Sequence, residues 1–137
     1  MTGHSHSGVQ LHGFLNYLGK CAKTRETYTI IGYKGKQVRD QIHSHDVVQA
    51  RWAFAQNPRP GEVYNLGGRR ANSASLLECT SKIEALLGRR LDTRSQEQAR
   101  KGDHICYISD LTKFQTHYPE WRLSRSLDQI IEELVRA

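Results

Sequence analysis

Apolar residues recur along this chain with two different periods, and the period changes several times between the ends. Over residues 8–23, Val9, Leu11, Phe14, Leu15, Leu18 and Ala22 stand close to three and four apart, which gathers them on one helical face. Residues 27–31 are few and rich in β-branched side chains, and predict a strand. Residues 37–43 then alternate polar with apolar, so that a strand there sets Val38 and Ile42 on a different face from Arg39 and His43. A second helix is predicted over residues 46–56, with Val47, Val48, Ala50, Ala53 and Phe54 inward. Asp46 reads as its N-cap, and Gln49 completes a weak capping box. Asn57-Pro58-Arg59-Pro60-Gly61 stops that helix, because proline forbids continuation and glycine allows reversal.

Residues 62–66 read as a further strand, ending in Gly67-Gly68. The helix that follows is the most fully signalled. Ser75 and Glu78 have capping-box spacing, Leu76, Leu77, Ile83, Leu86 and Leu87 make an apolar stripe, and Gly88 stands where a C′ glycine belongs. Residues 91–94 read as a short strand and 95–103 as a polar loop. Asp110 reads as the cap of a short helix that runs to His117 and is ended by Pro119. Residues 126–136 make the last helix, with Leu127, Ile130, Ile131 and Leu134 inward. Strands and helices alternate, which predicts an α/β class with short, mostly parallel strands in one domain over residues 1–137.

Length and composition narrow this only a little. A chain of 137 residues has room for one core. No apolar run approaches a membrane span, and the first residues lack the basic-then-apolar order of a secretory signal. Cys21, Cys79 and Cys106 are odd in number and widely spaced, with no Cys-x-x-Cys. That pattern predicts reduced thiols in a cytoplasmic setting and argues against a disulfide framework or structural zinc. The net charge of +6 raises nucleic-acid binding. The charge is spread in doublets, Arg69-Arg70, Arg89-Arg90 and Arg100-Lys101, without a recognisable nucleic-acid motif, and a solvated basic surface is the simpler reading.

Candidate chemistry concentrates between Gly32 and Asp46. Gly32 and Gly35 permit a tight turn at positive φ, flanked by Lys34 and Lys36. Arg39 beyond it offers a planar fork of donors that fits phosphate. A second segment, Arg100-Lys101-Gly102-Asp103, can face it, so that two arginines clamp a pyrophosphate while Asp103 accepts from a ribose hydroxyl. The alternative is local pairing, with Arg39, Asp40 and Asp103 only holding loops in place, and exposed pairs of that kind contribute little. Self-contained catalysis has no counterpart here. The sequence holds no Gly-x-Gly-x-x-Gly, no phosphate-binding Gly-x-x-x-x-Gly-Lys loop and no nucleophile elbow. The pairs His4/His6 and His43/His45 lack a third metal ligand at a telling spacing and read as surface or loop histidines. Cys106 near His104 suggests a nucleophile and its base, but the neighbouring Ile105 favours a buried, inert thiol.

The order of these features carries a resemblance. Val38-Arg39-Asp40, His43-x-x-Asp46, Tyr64-Asn65-Leu66-Gly67-Gly68, Arg100-x-Gly-Asp103, Ser109-Asp110 and Tyr118-Pro119-x-Trp121 follow one another over nearly the whole chain. Their succession resembles the C-terminal part of the extended short-chain dehydrogenases/reductases, the NAD-dependent sugar-nucleotide epimerases and dehydratases. The opening Thr2-Gly3-x-x-His6-Ser7-Gly8-x-x-Leu11-His12-Gly13-Phe14-Leu15 and the run from Gly32 to Asp40 are most similar to the CDP-paratose 2-epimerase branch.

The resemblance implies a Rossmann-like fold whose C-terminal region binds the sugar nucleotide and whose N-terminal half binds NAD. It implies that Arg39 and Arg100 contact the diphosphate and Asp103 the ribose. Thr29 and Ile31 line the base pocket, and Gln10 and Leu11 lie near the substrate. The family's glycine-rich fingerprint and its Tyr-x-x-x-Lys pair fall upstream of the matched region. Tyr17 and Tyr33 each have a lysine three residues later instead of four, and a usual Gly-Pro reads Gly3-His4. The expectation is therefore the CDP-sugar-binding portion of an NAD-dependent epimerase, without an NAD site of its own and inactive alone. Its expected partners are a nucleotide sugar and either a separate Rossmann half or a second copy, with no membrane and no nucleic acid. The alternative is a non-enzymatic binding or regulatory module, or a truncated relic, that has lost nucleotide binding.

Overall fold

The computed structural model describes residues 1–2, 13–99 and 101–136. Helix α1 (Phe14–Thr24) follows Gly13 and ends at Arg25, in the left-handed region, whose N–H donates to the Cys21 carbonyl. Its buried face is Leu15, Leu18, Cys21 and Ala22, as the spacing predicts. The first turns expected for this helix, with Val9 and Leu11, lie outside the described residues. Strand β1 (Tyr28–Ile31) comes next, then a left-handed turn, strand β2 (Val38–Asp40) and helix α2 (Ser44–Gln56). Strand β3 (Ser73–Ser75), helix α3 (Leu76–Leu87), β4 (Thr93–Gln96), β5 (Cys106–Tyr107), α4 (Thr112–His117) and α5 (Leu127–Arg136) complete the order.

The strands form two small sheets. β1 pairs in parallel with β4, Tyr28 opposite Thr93 through Ile31 opposite Gln96. β2 lies between β3, antiparallel, and β5, parallel. The α/β class with mostly parallel pairing is borne out. No helix among the described residues is long and apolar enough to cross a membrane.

Two apolar clusters hold these pieces. The larger joins α1, β1, α3 and α5 through Leu15, Leu18, Ile30, Ile83, Ile130 and Ile131. Gly19 lets α1 and α5 approach closely, since a Cβ there would lie 3.2 Å from the Leu134 Cβ. The smaller cluster gathers Ile42 and Ala50 against Leu111, Phe114, Tyr118 and Trp121. Within it Phe114 and Trp121 meet edge to face, 5.1 Å apart at 89°, while Phe114 and Tyr118 are tilted at 34°.

Helix ends show where local signals suffice. Ser75 and Glu78 form the full capping box of α3, and Gly88 closes it at φ 64. At α4 the N-cap position falls on Leu111, which has no side-chain cap, and Asp110, one residue earlier than expected for a cap, accepts from the Thr112 N–H at 2.9 Å. At α2 the expectation fails. The N-cap is His43, whose Nδ1 accepts from the His45 N–H at 3.1 Å, so His43 is a buried structural residue and not a surface histidine. Asp46 lies one turn inside, fully buried, because a distant segment takes its carboxylate. Oδ1 accepts from the Ser124 N–H at 3.1 Å and from its hydroxyl at 2.6 Å. Oδ2 accepts from the Arg125 N–H at 3.4 Å, and the Asp46 carbonyl accepts from Trp121 Nε1 at 3.0 Å.

Other expectations are corrected by packing. Residues 62–66 belong to no strand and pair in no ladder among the described residues, and Val63 is exposed. Val48 on α2, with Leu77 and Leu86 on α3, faces outward, because each helix meets the core along a narrower stripe than its apolar content suggests. The strand expected at 91–94 begins at Thr93 and takes in Ser95 and Gln96 from the expected loop, since pairing with β1 sets its length. Cys106 is exposed on edge strand β5, not buried, whereas Cys21 and Cys79 are buried.

Two measurements follow from this core. Asp46→Ala removes three hydrogen bonds to a charged group and is expected to lower the unfolding free energy by about 3 kcal/mol or more in urea titrations. Burial pushes the Cys79 thiol up to about 12 from its ordinary 9.0. Above pH 9 the unfolded chain releases that proton and the folded chain keeps it, so stability falls as pH rises from 9 towards 12. Cys79→Ala is expected to flatten that slope.

Candidate functional site

The chain between β1 and β2 folds left-handed. Gly32, Tyr33, Lys34 and Gly35 have φ of 66, 49, 52 and 76°. Gly32 is obligatory here, since a Cβ would fall 2.6 Å from the Cα of Ala99. Tyr33 and Lys34 are held in this region at a cost of about 1–2 kcal/mol each. The Tyr33 hydroxyl offsets part of it by donating to the Asp103 carbonyl at 3.0 Å.

This turn leads from β1 to β2, which lie in separate sheets, and residues of both line a pocket of about 210 Å³. Thr29 and Ile31 of β1 form one wall, with Tyr28 beside them; Phe14 of α1 and Leu76 of α3 add apolar surface. Gln37, Arg39 and Asp103 supply the polar side. Arg39 Nη2 donates to Asp103 Oδ1 at 2.6 Å and also to the His104 carbonyl, while Nη1 donates to the Val38 carbonyl at 2.7 Å. The pair is about three-quarters buried, with side-chain exposures of 21% and 25%.

Asp40, next in sequence, points away from the pocket. Its Oδ2 accepts from the Arg69 N–H at 3.1 Å and the Ser109 N–H at 3.0 Å, and so ties two loops to β2. Gly67 and Gly68 are needed for that approach. A Cβ on Gly67 would sit 2.3 Å from Asp40 Oδ2, and one on Gly68 2.0 Å from the Gln41 carbonyl.

Of the residues expected to bind substrate, Thr29, Ile31, Arg39 and Asp103 line this one pocket. Arg100, Gln10 and Leu11 lie outside the described residues. Phe14, Tyr28, Gln37 and Leu76 line it without having been singled out. Gln37 had a signal, because it stands two residues before Arg39, and alternation along β2 sends both the same way. Among the described residues no group of three or more His, Cys, Asp or Glu side chains is gathered to hold a metal ion. His43 Nε2 instead lies 3.1 Å from the Glu133 carboxylate.

Comparison with known proteins agrees with this architecture. Residues 3–67 match the NAD dependent epimerase/dehydratase family. A probable dTDP-glucose 4,6-dehydratase of Sinorhizobium fredii is 31% identical over 84 residues, 61% of this chain and 22% of that protein. The CDP-paratose 2-epimerase of Salmonella typhi is 32% identical over 97 residues, 69% of this chain and 28% of that protein. Among solved structures, MoeE5 in complex with UDP-glucuronic acid and NAD superposes with a TM-score of 0.79 at 26% identity. That match covers 91% of this chain and 40% of the other. The matched stretches thus span about a quarter of the curated relatives. The resemblance read from the ordered motifs is borne out: in sequence and in fold alike, this chain is similar to the NAD-dependent epimerases and dehydratases of sugar nucleotides.

Proposed function

We propose that this chain is the sugar-nucleotide-binding portion of an NAD-dependent epimerase, and that alone it binds nucleotide without converting the sugar. The observation that carries this reading is the single pocket on which Thr29, Ile31, Arg39 and Asp103 converge. In this reading Thr29 and Ile31 face the base, Asp103 accepts from the ribose, and Arg39 and Arg100 hold the diphosphate. Gln10 and Leu11 lie near the substrate. The three hydrogen bonds that Arg39 makes among the described residues leave further N–H groups of its guanidinium for a phosphate oxygen. The similarity to CDP-paratose 2-epimerase supports a CDP-sugar as the ligand.

NAD, when bound to such enzymes, takes a hydride from a sugar carbon and returns it. The residues of this chain do not fit that cofactor. The sequence lacks both Gly-x-Gly-x-x-Gly and Tyr-x-x-x-Lys. The pocket, at about 210 Å³, lies below the roughly 300–1,000 Å³ of most ligand sites and suits a nucleoside. A separate NAD-binding half or a second copy is the proposed partner. The exposed Val48 and Trp52 of α2, and Val63 in the stretch 62–66 that joins no strand ladder among the described residues, support such an association. One observation favours the second reading, a binding module that has lost its ligand: Arg39 already has a carboxylate partner in Asp103.

Calorimetric titration with CDP and UDP separates the two. Saturable binding is expected, stronger for CDP and weakened roughly ten- to a hundredfold by Arg39→Ala, as loss of a charge-assisted contact predicts. With NAD and CDP-paratose, no interconversion is expected from the chain alone. Absence of binding by the folded chain overturns the proposal, and turnover by the chain alone overturns its inactivity.

A further inference from the structure

Among the described residues that line the pocket, Gln37 has a buried side-chain oxygen without a hydrogen-bond partner. Its Nε2 donates to the Ile31 carbonyl at 3.2 Å. Its Oε1 is buried and has no hydrogen-bond partner among the described residues. The backbone on both sides is fixed. The Gln37 carbonyl accepts from the Leu76 N–H at 3.2 Å, and the next residue, Val38, donates to the Ile105 carbonyl at 2.8 Å. The amide cannot turn over without setting its oxygen against the Ile31 carbonyl. It is therefore locked with its acceptor unused, and a buried acceptor left unpaired is destabilising until a donor reaches it.

The bond to Ile31 also fixes where along the pocket this acceptor stands. Ile31 belongs to β1, the strand whose Thr29 and Ile31 face the base in the function proposed above, so Gln37 sits at the base end of the pocket and Arg39 further along β2. We propose that Gln37 reads the base: its Oε1 accepts a hydrogen from the exocyclic amine of an aminopyrimidine, and thereby selects cytosine over uracil. Uracil carries a carbonyl oxygen where cytosine carries that amine. Two acceptors then face each other without a proton between them, and the oxygen stays unpaired. Discrimination of this kind rests on the unmet bond in the wrong complex more than on attraction in the right one.

This inference rests on the nucleotide-binding reading, and the test keeps the two apart. The 137-residue chain and its Gln37→Met variant, which keeps the length of the side chain without its amide, are titrated with CDP and with UDP. Gln37→Asn, which withdraws the amide by one carbon, is the second variant, and circular dichroism checks that each is folded. The wild-type chain is expected to prefer CDP. Both variants are expected to narrow the CDP:UDP affinity ratio three- to tenfold, the worth of one neutral hydrogen bond, with CDP bound more weakly and UDP, relieved of the facing acceptor, bound no more weakly than before. A merely structural role for Gln37 shifts the urea midpoint and leaves the CDP:UDP ratio as it was, which overturns the inference. Preference for UDP by the wild-type chain also overturns it and leaves nucleotide binding standing. Binding of neither nucleotide overturns both.

Discussion

A carboxylate with no solvent contact must be given its hydrogen bonds by the chain, and Asp46 is placed so that only one arrangement does so. Its two oxygens draw in the backbone of Ser124 and Arg125 and the Ser124 hydroxyl, and its carbonyl takes the Trp121 indole N–H. The segment 121–125 links the aromatic cluster around Phe114 to α5, which packs against α1 and α3. Without that anchor, the last helix would have to find its seat against the core through apolar contacts alone, which are not directional. Asn72 makes a second fixing point, donating to the Arg125 carbonyl and accepting from the Leu127 N–H.

Within eight residues the chain divides its polar side chains between two tasks. Arg39 faces the pocket and Asp40 the loops at 69 and 109, because neighbours on a strand point to opposite sides. His43 caps α2, and Asp46 reaches across to the C-terminal segment. The residues available to a ligand are thus held by residues that no ligand touches. Tyr33 does the same for Asp103, gripping its carbonyl while the carboxylate meets Arg39. Such support determines whether a pocket keeps its shape before anything enters it.

What could be read in the sequence was whatever neighbouring residues determine by themselves. The capping box and C′ glycine of α3 are local hydrogen-bonding facts, and the structure keeps both. The apolar face of α5 depends on helical period alone and lies buried as read. Residues 62–66 have the composition of a strand, but a strand needs a neighbour, and composition does not supply one. Asp46 has the right type and place for a cap, yet Ser124, seventy-eight residues away, takes its carboxylate. At the pocket, Arg39 and Asp103 were legible as charged groups beside glycines. Gln37 could be set beside Arg39 by alternation, but what marks it, an oxygen left without a partner, is a property of the folded chain.

The division of the interior into two apolar clusters has a consequence for how the molecule comes apart. The pocket rests on α1, β1 and α3, all members of the larger cluster, while α2 and α4 are held by the smaller one. Two apolar clusters bridged by the hydrogen bonds of Asp46 and Asn72 are expected to open with separate free energies. Loss of the smaller unit removes the Asp46 anchor of α5 but leaves Phe14, Thr29, Ile31 and Leu76 on elements of the larger one. Amide protons of the two units then exchange with solvent at separate rates, and heat absorbed on melting need not arrive in a single step.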